Sequence, residues 1–143
     1  MQFFIITASV FLFDQLTKFL VYHFMRLNQT IPVIKNVLHL TYIQNTGAAF
    51  GILRGQMWFL LIVGTLAVSA IFYFHEKLKF DDYLQTPLAL LLGGSFGNMF
   101  DRIFRHYVID FIDFRVWPVF NVADIMINIA VFFIIFIILK EGK

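Results

Sequence analysis

The sequence predicts an all-α integral membrane protein: four transmembrane helices with a small β-sheet at the membrane interface. Three observations lead there. Of 143 residues, 60% are hydrophobic and only 14% are charged, against about 25% charged in an ordinary soluble domain. The 20 Phe of so short a chain exceed what one small aqueous core can bury. Four stretches approach the roughly 20 apolar residues that cross the hydrocarbon at about 1.5 Å each. The formal charge of +2 comes without a basic run, which argues against nucleic acid as a partner. The absence of cysteine excludes disulfide and thiolate chemistry.

The spans fall at about 3–25, 57–74, 83–101 and 121–139, and no repeat, low-complexity tract or linker separates them. Residues 1–143 therefore read as one membrane-embedded domain. The first span, interrupted by "DQLTK", lacks the basic start and small-residue cleavage site of a cleaved signal peptide. The second, "MWFLLIVGTLAVSAIFYF", has almost no polar residue. The third ends "GGSFGNMFDRI" (93–103), whose glycines let another helix approach closely in lipid. The fourth opens "FNVADIMIN" (120–128), with Asn121 as an N-cap and Asp124 in the first turn, where an acid complements the helix dipole. Between the first two spans, "VLHLTYIQN" (37–45) alternates, with Leu38, Leu40 and Tyr42 on one face and His39 and Thr41 on the other. "NTGAAFG" (45–51) follows as a tight turn. A short sheet on the membrane surface and a plain solvated hairpin fit this pattern equally.

Four spans place both termini on one membrane side. The connections on the opposite side carry Arg26, Lys35, Arg54, Arg102, Arg105 and Arg115, while Lys77, Lys79, Lys140 and Lys143 lie with the termini. Taken alone, the positive-inside rule puts the six basic residues in the cytoplasm.

An ionisable residue inside a span costs at least about 2.5–3.5 kcal/mol and is a functional candidate by default. Asp14 has a structural explanation, since Lys18 stands at i+4 on the same helix face. Asn98, Asp101 and Arg102 share one flank of a helix end, and an Asp–Arg anchor explains Asp101 better than Asn98. Asp110, in "HYVIDFIDF" (106–114), has neither a cap nor a dipole to account for it. It shares a membrane side with Asp124, across a thirteen-residue connection containing Trp117 and Pro118. Two carboxylates held together at the mouth of a bundle cannot both ionise, and they titrate as a pair. That is the logic of an aspartic protease, in which one acid takes a proton from water and the other polarises the scissile carbonyl. Asn and Arg side chains nearby can hold peptide carbonyls in position. Paired acids in a bundle are at least as often the proton relay of a transporter, and a structural scaffold is a third reading. The second span offers almost no polar residue for a conduit. No metal or cofactor is expected: "HE" at 75–76 lacks a second His four residues on, and His106 with Asp110 is at most half a metal site.

The set "FDQLTK" (13–18), "NTGAAFG" (45–51), "GGSFGNMFDRI" (93–103), "VIDFIDF" (108–114) and "FNVAD" (120–124) resembles the lipoprotein signal peptidase family, signal peptidase II, in order over nearly the whole chain. The resemblance implies a four-helix membrane aspartyl endopeptidase in the cytoplasmic membrane; no cofactor is expected, and a monomer is expected although no feature of the sequence speaks to oligomeric state. It implies cleavage of diacylglyceryl-modified prolipoproteins just before the lipidated cysteine. The family's catalytic pair falls on Asp110 and Asp124, and its supporting residues fall on Asp14, Asn45, Asn98, Asp101, Arg102 and Asn121. Asp113 is left as a neighbour in the sheet or loop. The family places the pair, and with it the interfacial sheet, at the outer face with the termini in the cytoplasm, against the Lys/Arg count. Two departures stand out: "SF" at 95–96, where small or aliphatic residues are commoner, and a short 111–120 connection over the site.

Overall fold

The computed structural model describes residues 1–48, 52–79 and 82–141, so the end of the "NTGAAFG" turn, 49–51, lies outside the described residues. The elements run α1 (Gln2–Phe24), β1 (Thr30–Ile34), β2 (Leu38–Asn45), α2 (Met57–Lys77), α3 (Gln85–Arg105), β3 (Val108–Asp113) and α4 (Val122–Glu141). Three of the helices, α1, α2 and α4, are long and apolar enough to cross a membrane. Their large side chains point outward: Phe4, Phe19, Leu66, Phe132 and Phe136 are all more than half exposed. An apolar face of that extent suits lipid and not water.

The third expected span differs from the other three. Helix α3 has the length but not the apolar composition of a lipid-facing helix. The reason lies in its surroundings, since it packs against α1, α2 and α4 together and faces protein on most sides. Its small residues make that possible. A Cβ at Gly93 would stand 2.7 Å from the Thr7 carbonyl of α1, and one at Gly94 would stand 2.7 Å from the Ala123 carbonyl of α4. Thr7 Oγ1 adds a hydrogen bond to the Ala89 carbonyl at 3.2 Å, the kind of interhelical bond that holds helices where lipid offers no hydrophobic drive. Phe3, Ile71, Leu88, Ala89 and Leu92 fill the space among α1, α2 and α3.

The sheet is antiparallel in the order β1-β2-β3. Of the two readings of 37–45, the sheet is therefore correct and the isolated hairpin is not. The expected two-faced alternation fails, because Thr41 and Tyr42 are both buried. A bulge between Leu40 and Ile43 of β2 changes the register there and turns consecutive residues inward. Strand β3 follows α3 almost at once, through His106 in the left-handed region at φ 65°. Its Ile109 and Phe111 pack with Val21, Tyr42 and Val122, which fastens the sheet to the ends of α1 and α4. The sheet thus caps one end of the bundle.

Candidate active site

Each candidate acid is fixed by its own stretch of backbone. Asn121 and Asp124 form a reciprocal cap at the start of α4. The Asp124 N–H donates to Asn121 Oδ1 at 3.0 Å, and the Asn121 N–H donates to Asp124 Oδ2 at 3.2 Å. An N-cap Asn with an acid three residues on satisfies two orphan donors of the first turn and leaves Asp124 one preferred orientation. Asp110 stands on β3 opposite Ile43 of β2, and it is 3% exposed. Its Oδ1 accepts from Asn121 Nδ2 at 2.7 Å and its Oδ2 from Asn45 Nδ2 at 2.9 Å. Asn45 Oδ1 in turn accepts the Gly47 N–H at 2.9 Å, a turn that locks the amide.

Asn98 completes the bridge. Its Nδ2 donates to Asp124 Oδ1 at 2.9 Å, while its Oδ1 accepts from Asn121 Nδ2 at 3.1 Å. The amides of Asn45, Asn98 and Asn121 therefore point at carboxylates, where the sequence suggested that such side chains would reach for peptide carbonyls. Arg102 donates to the backbone carbonyls of Asn98, at 3.4 Å, and Gly47, at 3.1 Å. It ties the 45–48 turn to α3.

Below the two acids lies a buried ion cluster. Asp14, Lys18 and Asp101 have no exposed side-chain surface, and Lys18 Nζ is 2.8 Å from Asp14 and 3.1 Å from Asp101. Arg105 closes on Asp101 from the rim. Each buried Asp also holds a main-chain amide. Asp14 Oδ1 accepts the Ala123 N–H at 2.9 Å, and Asp101 Oδ2 accepts the Ile109 N–H at 3.1 Å. Ala123 and Ile109 are the residues immediately before Asp124 and Asp110. The structural role expected for Asp14 thus has a definite target. In the sequence Lys18 is legible only as the partner of Asp14, because its contacts with Asn98 and Asp101 cross 80 positions or more and no local pattern announces them. Gln15 was missed for the same reason; its amide bridges Asp14, Asp101 and the Gly97 carbonyl.

Asp110 and Asp124 line one cavity of about 550 Å³ with Asn45, Asn98 and Arg102, and its far wall is apolar, including Val108, Ile125 and Ile129. Asp113 is elsewhere. It accepts from Thr41 Oγ1 at 2.7 Å and from the Arg115 N–H at 2.7 Å, within the sheet. The electrostatics separate the two Asp residues of "VIDFIDF". Burial, reinforced by the neighbouring charge of Asp124, pushes Asp110 up to about 7 against the hydrogen bonds from Asn45 and Asn121. Burial acts on Asp113 in the same direction, but its bonds from Thr41 and Arg115 outweigh it and hold the carboxyl below its ordinary value. Among the described residues no group of three or more His, Asp or Glu is placed to hold a metal ion.

An acid pair in one cavity, held by amides at the capped end of a membrane bundle, defines a class of membrane hydrolase candidates. Comparison with known proteins narrows it. The chain matches the family model described as signal peptidase (SPase) II over residues 6–140. It is 39% identical over 140 residues to the lipoprotein signal peptidase of Halothermothrix orenii, covering 98% of this chain and 97% of that one. It is 44% identical over 142 residues to that of Shouchella clausii, covering 98% and 94%. A bacterial membrane enzyme solved by the in meso method is 35% identical with a TM-score of 0.94, over 99% of this chain and 90% of that one. A second such structure has a TM-score of 0.89 at 35% identity, over 98% and 94%. The chain belongs to the signal peptidase II family and is a multi-pass bacterial membrane protein. Nothing in these matches supports the transporter reading.

Proposed function

We propose that this protein is an aspartyl endopeptidase that removes the signal peptide from prolipoproteins. The substrate is diacylglyceryl-modified, and the cut falls just before the lipidated cysteine. The family and the names of its relatives support a prolipoprotein peptidase. The aspartic mechanism rests on one observation above all: Asp110 and Asp124 face a single cavity, bridged by Asn121 and Asn98.

The pair carries one proton. The ionised carboxylate takes a proton from a water molecule while the protonated one donates to the scissile carbonyl oxygen. The water oxygen bonds to the carbonyl carbon. The carbon–nitrogen bond then breaks as the ionised member of the dyad takes a proton from one hydroxyl of the tetrahedral intermediate and the protonated member gives its proton to the departing amine of the cysteine, which leaves one proton on the pair. Asn45, Asn98 and Asn121 hold the two acids in register, so little reorganisation accompanies the reaction. The apolar wall of Val108, Ile125 and Ile129 suits the acyl chains and the apolar signal peptide.

The membrane arrangement is part of the same proposal. Helix α3 is the fourth span: its 21 residues reach about 31 Å, the thickness of the hydrocarbon core, and protein shields its polar groups. The termini are cytoplasmic and the sheet and dyad lie at the outer face. Two of the six basic residues on the sheet side have carboxylate partners: Arg105 with Asp101 and Arg115 with Asp113. The four others then stand against Lys77, Lys79, Lys140 and Lys143 on the terminal side. With those pairs set aside, the count no longer opposes cytoplasmic termini. The chain reads throughout as one membrane-embedded domain that acts as a monomer.

The experiment is to incubate purified protein in detergent with a prolipoprotein in its diacylglyceryl-modified and unmodified forms. Release of the signal peptide from the modified form alone is expected. Equal cleavage of both forms contradicts the lipid requirement, and cleavage of neither contradicts the activity.

A further inference from the structure

Lys18 is completely buried, and all three of its N–H donors are used. They go to Asp14 at 2.8 Å, to Asp101 at 3.1 Å and to Asn98 Oδ1 at 3.0 Å. An ammonium group donates and never accepts. The atom of Asn98 that faces it must therefore be the oxygen, and the Asn98 NH₂ must face the other way. There it meets Asp124 Oδ1 at 2.9 Å. The Asn98 oxygen has one other donor, Asn121 Nδ2 at 3.1 Å, so a neutral residue at position 18 removes one of the two donors that hold the amide in this orientation. The same ammonium clamps Asp14 and Asp101: the other oxygen of Asp14 holds the Ala123 N–H, and the Asp101 oxygen that faces Lys18 also holds the Ile109 N–H.

We propose that Lys18 is a positioning residue for the hydrolysis, fixing the Asn98 amide toward Asp124 and setting the spacing of the two backbone stretches that carry Asp110 and Asp124. Its charge acts as well. Asp110 is faced by Asp124 from α4, by Arg102 from α3 and, at longer range, by Lys18 from α1, and the positive charge of Lys18 lowers its proton affinity. Lys18 itself is faced by Asp14 on its own helix and by Asp101 on α3, with Arg105 compensating Asp101. Removing the lysine alone leaves an uncompensated buried carboxylate, so charge and hydrogen bond have to be separated. The inference rests on the dyad reading.

The test compares Lys18→Met, Asp14→Asn and the double variant Lys18→Met/Asp14→Asn in the same detergent, by thermal unfolding and by steady-state cleavage against pH. The double variant removes one buried charge of each sign and restores balance while still lacking the donor to Asn98. For Lys18→Met, kcat falls by about one to two decades with KM little changed. The high-pH limb of kcat/KM moves up by on the order of half a unit. The double variant unfolds near the temperature of Asp14→Asn, yet its kcat lies about tenfold lower. A double variant with the kcat of Asp14→Asn overturns the proposal, and so does a Lys18→Met limb that stays in place. Failure of both lysine variants to fold also overturns it, leaving Lys18 an architectural role alone. Inactive Asp110→Asn beside normal Lys18 variants sinks only this inference, whereas an active Asp110→Asn sinks the dyad itself.

Discussion

Burial and the charge of Asp124 raise Asp110 from 3.8 to about 7, and this has a direct consequence for the pH dependence of cleavage. In the proposed mechanism the pair holds one proton. As pH rises through about 7 that proton leaves, the scissile carbonyl loses its donor, and kcat/KM must fall. Well above that point it falls tenfold per pH unit. A rate that stays level to pH 9 contradicts the assignment. The two Asp of "VIDFIDF" were separable in the sequence only through the family resemblance. Spacing gave each the same apolar neighbours, and what divides them is their partners across the sheet. Thr41 and Arg115 satisfy Asp113, whereas Asp110 sits between two amides and another acid.

At the level of elements, local chemistry was legible and long-range chemistry was not. The start of α4 could be read because an N-cap and its acid lie three residues apart. Strand β3 could not. Its residues are buried on both faces except Ile112, so it shows no alternation, and its partners in β2 lie about 65 to 75 positions earlier. Helix α3 reads in the sequence as the third of four spans, and its glycines point to close helix packing; that the other three helices all pack against it is seen only in the structure. Gly97 makes the most exacting of those contacts. A Cβ there would run into the Asp14 carboxylate, so Gly97→Val must displace that carboxylate and open the ion cluster. Overpacking of this kind costs about 1–3 kcal/mol, and the displaced charges add to it. Thermal unfolding in detergent should show a clear loss for Gly97→Val relative to the wild type. Equal stability of Gly97→Val and the wild type contradicts the packing described.

For the whole molecule, the raw charge count and the family point in opposite directions, and the orientation proposed above follows the family. Arg105 and Arg115 are matched by carboxylates and Arg102 is held by a carbonyl; none of these pairings is visible in a tally of residue types. Cytoplasmic termini predict that a tag between α2 and α3, near Lys79, resists external protease in intact cells, while a tag in the turn after β1, near Lys35, is cut. The reverse pattern restores the simple count. The bundle, the cap of sheet and the ion cluster converge on one point, the shared cavity of Asp110 and Asp124, and one measurement bears on it most directly. Initial rates of signal-peptide release are compared for wild type, Asp110→Asn, Asp124→Asn and Asp113→Asn, all purified and shown to unfold at similar temperatures. The two dyad variants, which keep the shape but cannot pass the proton, are expected to lose activity to the limit of detection, while Asp113→Asn keeps most of it. Turnover near the wild-type rate by either Asp110→Asn or Asp124→Asn contradicts the account.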